Sequence, residues 1–231
     1  MLANLVEAKT LKVSIPVMPV HAEANGKGIL ISFVKALEDY LEEDIDIELM
    51  SFSRAISYVS DDLVDFHLPL IKYESTLDEQ HYIYSDETIF YVNFVLYSNK
   101  TKPVNINELA LLNIETDSAH QLFFPFKTSS SSCLLCSLKR VQHQAIDGYI
   151  FADSPTDAML KEHADVLKDV HRQLYNRFEV KVVFPKTAQG QQLNKKISAV
   201  IRDMRASGQL EALLGSVDLP FESWQLGVLH D

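Results

Sequence analysis

The chain is short of glycine and cysteine, with 7 and 2 respectively in 231 residues. So few glycines exclude the Gly-rich loops that cradle phosphates, and neither a P-loop nor a GxGxxG is present. GxSxG and HExxH are missing as well, so the common hydrolase and zinc-protease signatures are excluded. Bases are the next shortage. The chain has 21 Lys and Arg against 32 Asp and Glu, a net charge of −11. Nucleic acid binding needs a basic face, so nucleic acid is not an expected partner. No apolar run approaches the roughly 20 residues that span a bilayer. The start, MLANLVEAKTLKV, has neither the basic nor the apolar region of a signal peptide. A short polar lead before a strand at Leu11 suits the mature form of an exported protein carrying an added Met1; a cytosolic protein is the alternative.

What is present describes a globular domain. Hydrophobic residues make up 47% and charged residues 23%, enough for a packed core. The acidic run Glu38 to Glu48 reads as a solvated helix end and loop. Cys133 and Cys136 form a CxxC. Buried unbridged thiols are its first reading, since Cys is so often in the core. A local disulfide is the second. A zinc site lacks a second ligand pair, and a redox pair would want a different turn than Leu134-Leu135. The eight histidines, His21, His67, His81, His120, His143, His163, His171 and His230, are scattered and read as ordinary core or surface residues. No carboxylate pair stands out as an acid/base couple.

The alternation of LKVSIPV predicts a first strand from Leu11 to Val17. Ile29 to Leu41 has a helical apolar period. Ile45 to Met50 is a second strand. Ser51 or Ser53 caps a helix to about Ser60. Val64 to Leu68 is a third strand, ended by Pro69. This βαβαβ opening predicts a parallel sheet whose ligand edge lies at the strand C-termini. A polar loop and the step Tyr84-Ser85-Asp86 lead to a long apolar strand, Ile89 to Tyr97. Beyond it come a helix start at Asn105 to Leu109 and an apolar strand-like stretch from Ala110 to Ile114. Caps follow at Thr116 to Ser118 and at Ser129 to Ser132, the second opening a helix to about Gln144. Tyr149 to Ala152 is a strand, and Ser154-Pro155-Thr156-Asp157 reads as a helix start with Ser154 as its cap. Phe178 to Phe184 is a strand crossing back. Gln189 to Arg205 is an amphipathic helix ended at Gly208, and Gln209 to Leu214 is a last short helix.

Several of these stretches carry a resemblance. Gly28 to Phe33 is similar to a "G-x-(apolar)-x-G-F" helix opening with its second Gly lost. Val64-Asp65 resembles a "V-D-(apolar)" strand, and Tyr84-Ser85-Asp86 an "F-S-D/E-P-Y" step without its Pro and Tyr. Asn105 to Leu109, Ile146 to Asp153 and Ala206 to Leu210 follow in matching order. In that order and spacing, from about Leu11 to Gly215, the chain resembles the bacterial periplasmic solute-binding proteins of family 3, which bind polar amino acids.

The resemblance implies an α/β fold of two lobes joined by two hinge strands. Lobe 1 would hold residues 1–94 plus 186–231, and lobe 2 residues 95–185. It implies an extracytoplasmic protein, monomeric, that captures a small polar solute by closure and hands it to an ABC permease, with no cofactor and no catalysis. A sensor module uncoupled from transport is the alternative, and a cleft enzyme of dehydratase type a further one. The ligand-binding residues implied by position are Arg54, Pro69, Leu70, Lys72, Tyr73, Ser75, Thr116, Asp117, Ser118 and Asp153. Seven of them have an ordinary competing role: helix cap for Asp153, surface residue for Arg54 and Lys72, loop or cap for Tyr73, Ser75, Thr116 and Ser118. The family's carboxylate-binding Arg is missing, since Leu77 or Asp78 stands where it is expected. The family's second-lobe Gly-Thr is replaced by Glu115-Thr116-Asp117-Ser118.

Overall fold

A computed structural model of the chain describes residues 10–73 and 81–221. The opening βαβαβ is built as its periodicity requires. Strands β1 (Leu11–Pro16), β2 (Ile45–Met50) and β3 (Phe66–Ile71) are linked by helices α1 (Ile29–Leu41) and α2 (Phe52–Ser60). β1 pairs in parallel with β2 on one side and β3 on the other. Parallel pairing sends the C-terminal ends of all three strands to one edge, where a ligand crevice forms. Helix α1 buries Leu30, Ile31, Phe33, Val34, Leu37 and Leu41, one face of its 3.6-residue period, and stops where Glu42 turns left-handed at φ 53°.

The remaining elements run β4 (Tyr82–Tyr84), β5 (Phe90–Asn99), β6 (Ile114–Asp117), β7 (Ser129–Ser131), α3 (Leu134–Gln142), β8 (Gly148–Ala152), α4 (Asp153–Glu162), α5 (Ala164–Leu167), β9 (Val170–Pro185), α6 (Ala188–Ala206) and α7 (Gln209–Leu214). Two 3₁₀ turns, Ile106–Leu111 and Ser118–Phe123, are capped by the side chains of Asn105 and Asp117. Nine strands share one sheet in the order β2-β1-β3-β9-β5-β8-β6-β7, with β4 on the side of β9. Strands β6, β7 and β8 form a second parallel group. Between the two parallel groups lie β5 and β9. The second half of β9 pairs with β3, while its first half pairs along the whole of β5. These two antiparallel strands therefore join the halves of the molecule.

Helix α6 closes the first half. Thr187 caps it by accepting from the Gly190 N–H at 3.0 Å, and it buries Leu193, Ile197, Val200, Ile201 and Met204. Gly208 takes the left-handed conformation at φ 80°, as its place after the helix requires.

The structure departs from the sequence-based expectation at several elements. Pro69 does not end β3; it lies inside it, where the register against β9 shifts between His67 and Leu70 and no ladder N–H is needed. The Ala110–Ile114 strand is instead the end of a 3₁₀ turn, with Leu111 exposed, and β6 starts only at Ile114. Ser129 to Ser131 form the edge strand β7 and not a helix cap; α3 is capped by Cys133. Helix α4 starts one residue before Ser154, with Ala152 at the cap position. Cys133 and Cys136 are joined in a disulfide, which corrects the unbridged reading. Capping explains how one turn accommodates the bond: Cys133 is still extended when the helix begins, at φ −133° and ψ 99°, and the two Cα atoms lie 5.2 Å apart, within the usual reach.

Candidate functional site

The residues that follow the C-terminal ends of the parallel strands converge from both halves. After β1 the chain makes a compact loop in which Met18 and Ala22 form an isolated bridge and His21 turns inward. Gly28 allows this loop to close. Its φ is 133°, and a Cβ there would lie 2.3 Å from the His21 carbonyl oxygen, the atom that accepts from the Leu30 N–H at 2.9 Å. After β2, α2 begins with Phe52. β3 delivers Pro69 and Ile71. From the other half, the 3₁₀ turn after β6 delivers His120, and the end of β8 delivers Phe151 and Ala152, followed by Pro155. Strands β5 and β9 supply Phe90, Val92, Phe94 and Val180 as the floor. Together these groups enclose a cavity of about 30 Å³ between the halves.

The walls are aromatic. The His120 ring is surrounded by Phe52, Phe123, Phe94 and Phe151, with centroids at 4.7, 5.3, 5.4 and 5.5 Å, all edge-on. His21 stacks on Phe90 at 6.0 Å. Burial holds the His21 imidazole down at about pKa 4, so it is neutral at pH 7. Both halves also touch directly. The Ser53 and Ser118 hydroxyls are 2.7 Å apart, His21 Nε2 lies 2.7 Å from Ser154 Oγ, and Tyr73 stacks on Phe123 at 5.7 Å.

Behind Ala152 lies a buried polar network. The Asn93 amide donates to Asp153 at 2.8 Å and to the Leu219 carbonyl at 2.9 Å. The Tyr97 hydroxyl donates to Asp157 at 3.0 Å, and Arg172 reaches the same carboxyl at 2.7 Å. Burial pushes the Asp157 carboxyl up to about 7, against the pull of Arg172, and raises Asp153 in the same direction. Among the described residues no group of three or more His, Cys, Asp and Glu is placed to hold a metal ion.

The sequence-derived residues are distributed around this centre. Pro69 lines the cavity. Asp153 sits beneath it, holding Asn93 and the Ser154 N–H. Tyr73 and Ser118 take part in contacts between the halves, and Arg54 is exposed on α2, next in sequence to Ser53. Asp117 caps the turn carrying His120 by accepting from the Ala119 N–H at 2.8 Å. Thr116 is buried with its hydroxyl given to the Ile150 carbonyl at 2.8 Å. Leu70 is fully buried in the core. Lys72 is exposed and lines a different, polar groove of about 560 Å³ with Glu179 and Lys181. Ser75, Leu77 and Asp78 lie outside the described residues. Sequence reasoning missed His21, Phe52, Phe94, His120 and Phe151. Single histidines and phenylalanines spread over 130 residues carry no spacing signal; only the strand ends that precede them marked the place.

Two α/β halves, joined by two crossing strands and enclosing a cavity at their strand ends, define the two-lobed periplasmic-binding-protein fold. Solved structures of that fold match nearly the whole chain. The arginine-, lysine-, histidine-binding protein ArtJ from Geobacillus stearothermophilus is 15% identical, with a TM-score of 0.71 over 94% of this chain and 99% of that one. A histidine kinase sensor domain with similarity to periplasmic binding proteins is 13% identical, with a TM-score of 0.75 over 90% and 96%. The GluR0 ligand-binding core from Nostoc punctiforme, in complex with L-glutamate, is 15% identical, with a TM-score of 0.71 over 91% and 100%. At these identities the likeness is one of fold. No protein-family model and no curated protein sequence matches the chain. No helix among the described residues is long and apolar enough to cross a membrane.

Proposed function

We propose that the protein is an extracytoplasmic solute-binding protein that captures a small polar solute between its lobes by hinge closure and delivers it to an ABC importer. The observation that carries this reading is the cavity itself. It lies at the strand C-termini, is walled by both halves and is floored by the two strands that join them. A ligand held by both walls binds the closed form better than the open one and so shifts the population toward closure. The neighbours support the reading: ArtJ is an arginine-, lysine-, histidine-binding protein, and another similar structure is the substrate-binding protein of an amino acid ABC transporter. The Cys133–Cys136 disulfide agrees with an oxidising compartment outside the cytoplasm.

In this reading lobe 1 comprises residues 1–94 and 186–231, lobe 2 residues 95–185, and the protein binds its solute as a monomer without transforming it. Pro69 belongs to the wall, Tyr73 and Ser118 to the mouth with Arg54 beside it, and Asp117 and Asp153 position His120 and the end of β8. One observation favours a second reading, a sensor module that signals closure without transport: the histidine kinase sensor domain matches with a TM-score of 0.75.

A thermal-shift screen of the purified protein against amino acids, polyamines, small carboxylates, sugars and nucleosides tests solute capture. A ligand that binds only the folded state adds about 2.7 kcal/mol of stability at a hundred times its dissociation constant. A clear rise in melting temperature with one class is the expected result. No rise with any compound would contradict capture of a solute of these classes.

A further inference from the structure

We infer, resting on the solute-capture reading, that the solute held between the lobes is an uncharged aromatic or heteroaromatic molecule with a hydrogen-bonding edge. Three observations carry this. Among the described residues the cavity lining contains no Lys, Arg, Asp or Glu. A carboxylate or ammonium group entering it would lose its hydration and meet no counter-ion, which strongly disfavours the charged form. The lining instead combines aliphatic side chains with flat rings: Phe52, Phe94 and Phe151 surround His120, and Phe90 backs His21. Such walls accept another ring by offset or edge-to-face packing.

The third observation is polar. His21 and His120 are each only 2% exposed, both line the cavity, and the Nδ1 atom of each has no hydrogen-bond partner among the described residues. His21 commits its other nitrogen to Ser154. The carboxylate nearest His120 Nδ1, Asp117, stands 3.8 Å away, beyond hydrogen-bond reach, and its Oδ1 already accepts from the Ala119 N–H. Buried polar atoms are ordinarily satisfied, so two ring nitrogens unsatisfied among the described residues, on side chains that line one apolar cavity, mark where a ligand's N–H or O–H belongs. An imidazole nitrogen donates or accepts according to tautomer, so the pair suits a neutral ring carrying an N–H, a ring nitrogen or a hydroxyl.

The volume of about 30 Å³ is what remains with the halves in contact. A ring-sized solute therefore enters with the halves further apart than here. Because the cavity walls belong to both halves, its size follows their separation.

The test is isothermal titration calorimetry on the full chain with four probes: indole and benzimidazole as neutral rings, L-arginine and L-glutamate as charged amino acids. The expected result is saturable binding of at least one neutral ring and none of either amino acid. In His120→Leu, that binding weakens about ten-fold or more, as the loss of a ligand hydrogen bond predicts. A second readout needs no variant: the imidazole signals of His21 and His120 in proton–nitrogen NMR of the wild type move when the neutral ring is added. Saturable binding of arginine or glutamate would overturn the inference and leave solute capture standing. Failure of both neutral rings to bind would overturn it as well, and the broader thermal-shift screen would then decide solute capture by itself.

Discussion

At the scale of the residue, the site depends on positions whose roles come from three-dimensional neighbours. Gly28 is the clearest. Its backbone occupies a region that side chains avoid, and a Cβ would collide with the His21 carbonyl. Gly28→Ala is expected to cost about 1–3 kcal/mol in chemical denaturation and to displace the His21 loop. His67 gives a pH prediction. It is fully buried, 2.9 Å from the Ser14 carbonyl, and burial holds it at about 4 against an ordinary value of 6.5. Between those values the unfolded chain carries the extra proton, so stability falls as pH drops from 6.5 toward 4. Replacing His67 with Gln removes one such proton. The stability of the wild type should therefore fall more steeply than that of His67→Gln, by up to about 1.4 kcal/mol per pH unit within this window. Equal slopes would show that folding leaves the His67 pKa unshifted. Little of this was legible in the sequence. A buried histidine and a surface histidine look alike there, and the Gly28 constraint arises from a carbonyl seven residues earlier.

Elements were more legible, because periodicity reports burial directly. The apolar positions of α1 were visible, since the helix buries one face; β1 and β2 were visible from their β-rich runs, although β1 buries both faces from Val13 to Pro16. The first half of β9 was not. Its residues, VHRQLYNR, alternate with mostly polar partners, because this part of the strand pairs with β5 while leaving much of its surface in solvent. β3 was cut short at Pro69 for a related reason: the β-bulge that tolerates proline there is set by the register of β9, more than a hundred residues later. The disulfide at the start of α3 supports one testable claim. It closes a very short loop, and Cys133 Sγ also accepts from the Cys136 N–H at 3.2 Å. Reduction should lower stability by about 1–2 kcal/mol and fray the first turn of α3, read by hydrogen exchange at Leu134 to Ser137. Unchanged exchange on reduction would show that capping alone holds the turn.

At the scale of the whole molecule, topology was the most legible feature and cleft chemistry the least. The order of strands and helices pointed to two parallel-sheet halves with two connecting strands, and the sheet has that organisation. Arginine, lysine and aspartate were the natural candidates for a cleft that binds a polar solute, yet the described walls are phenylalanine, histidine, proline and aliphatic side chains. A family's cleft position can be located from strand ends, whereas the residues that fill it are free to vary without disturbing the sheet. Closure also involves the mouth. Phe52 packs edge-on against His120 across the two halves, at 4.7 Å, and is half-buried. Phe52→Ala should lower the melting temperature, at a cost of about 2–3 kcal/mol, and widen the mean separation of the halves in solution scattering. A loss of stability without widening would assign Phe52 to the first half alone.

The measurement that bears most directly on hinge closure is an electron–electron spin distance across the mouth. Labels would be placed on cysteines substituted for Arg54 and Leu122, both exposed and on opposite sides of the Ser53–Ser118 contact. The disulfide leaves no native thiol to compete for label. With and without the compound giving the largest melting shift, two distance populations are expected, and the compound should enrich the shorter one, which for a ring-sized solute lies wider than the separation seen here. A single distance that no stabilising compound alters would contradict capture by closure.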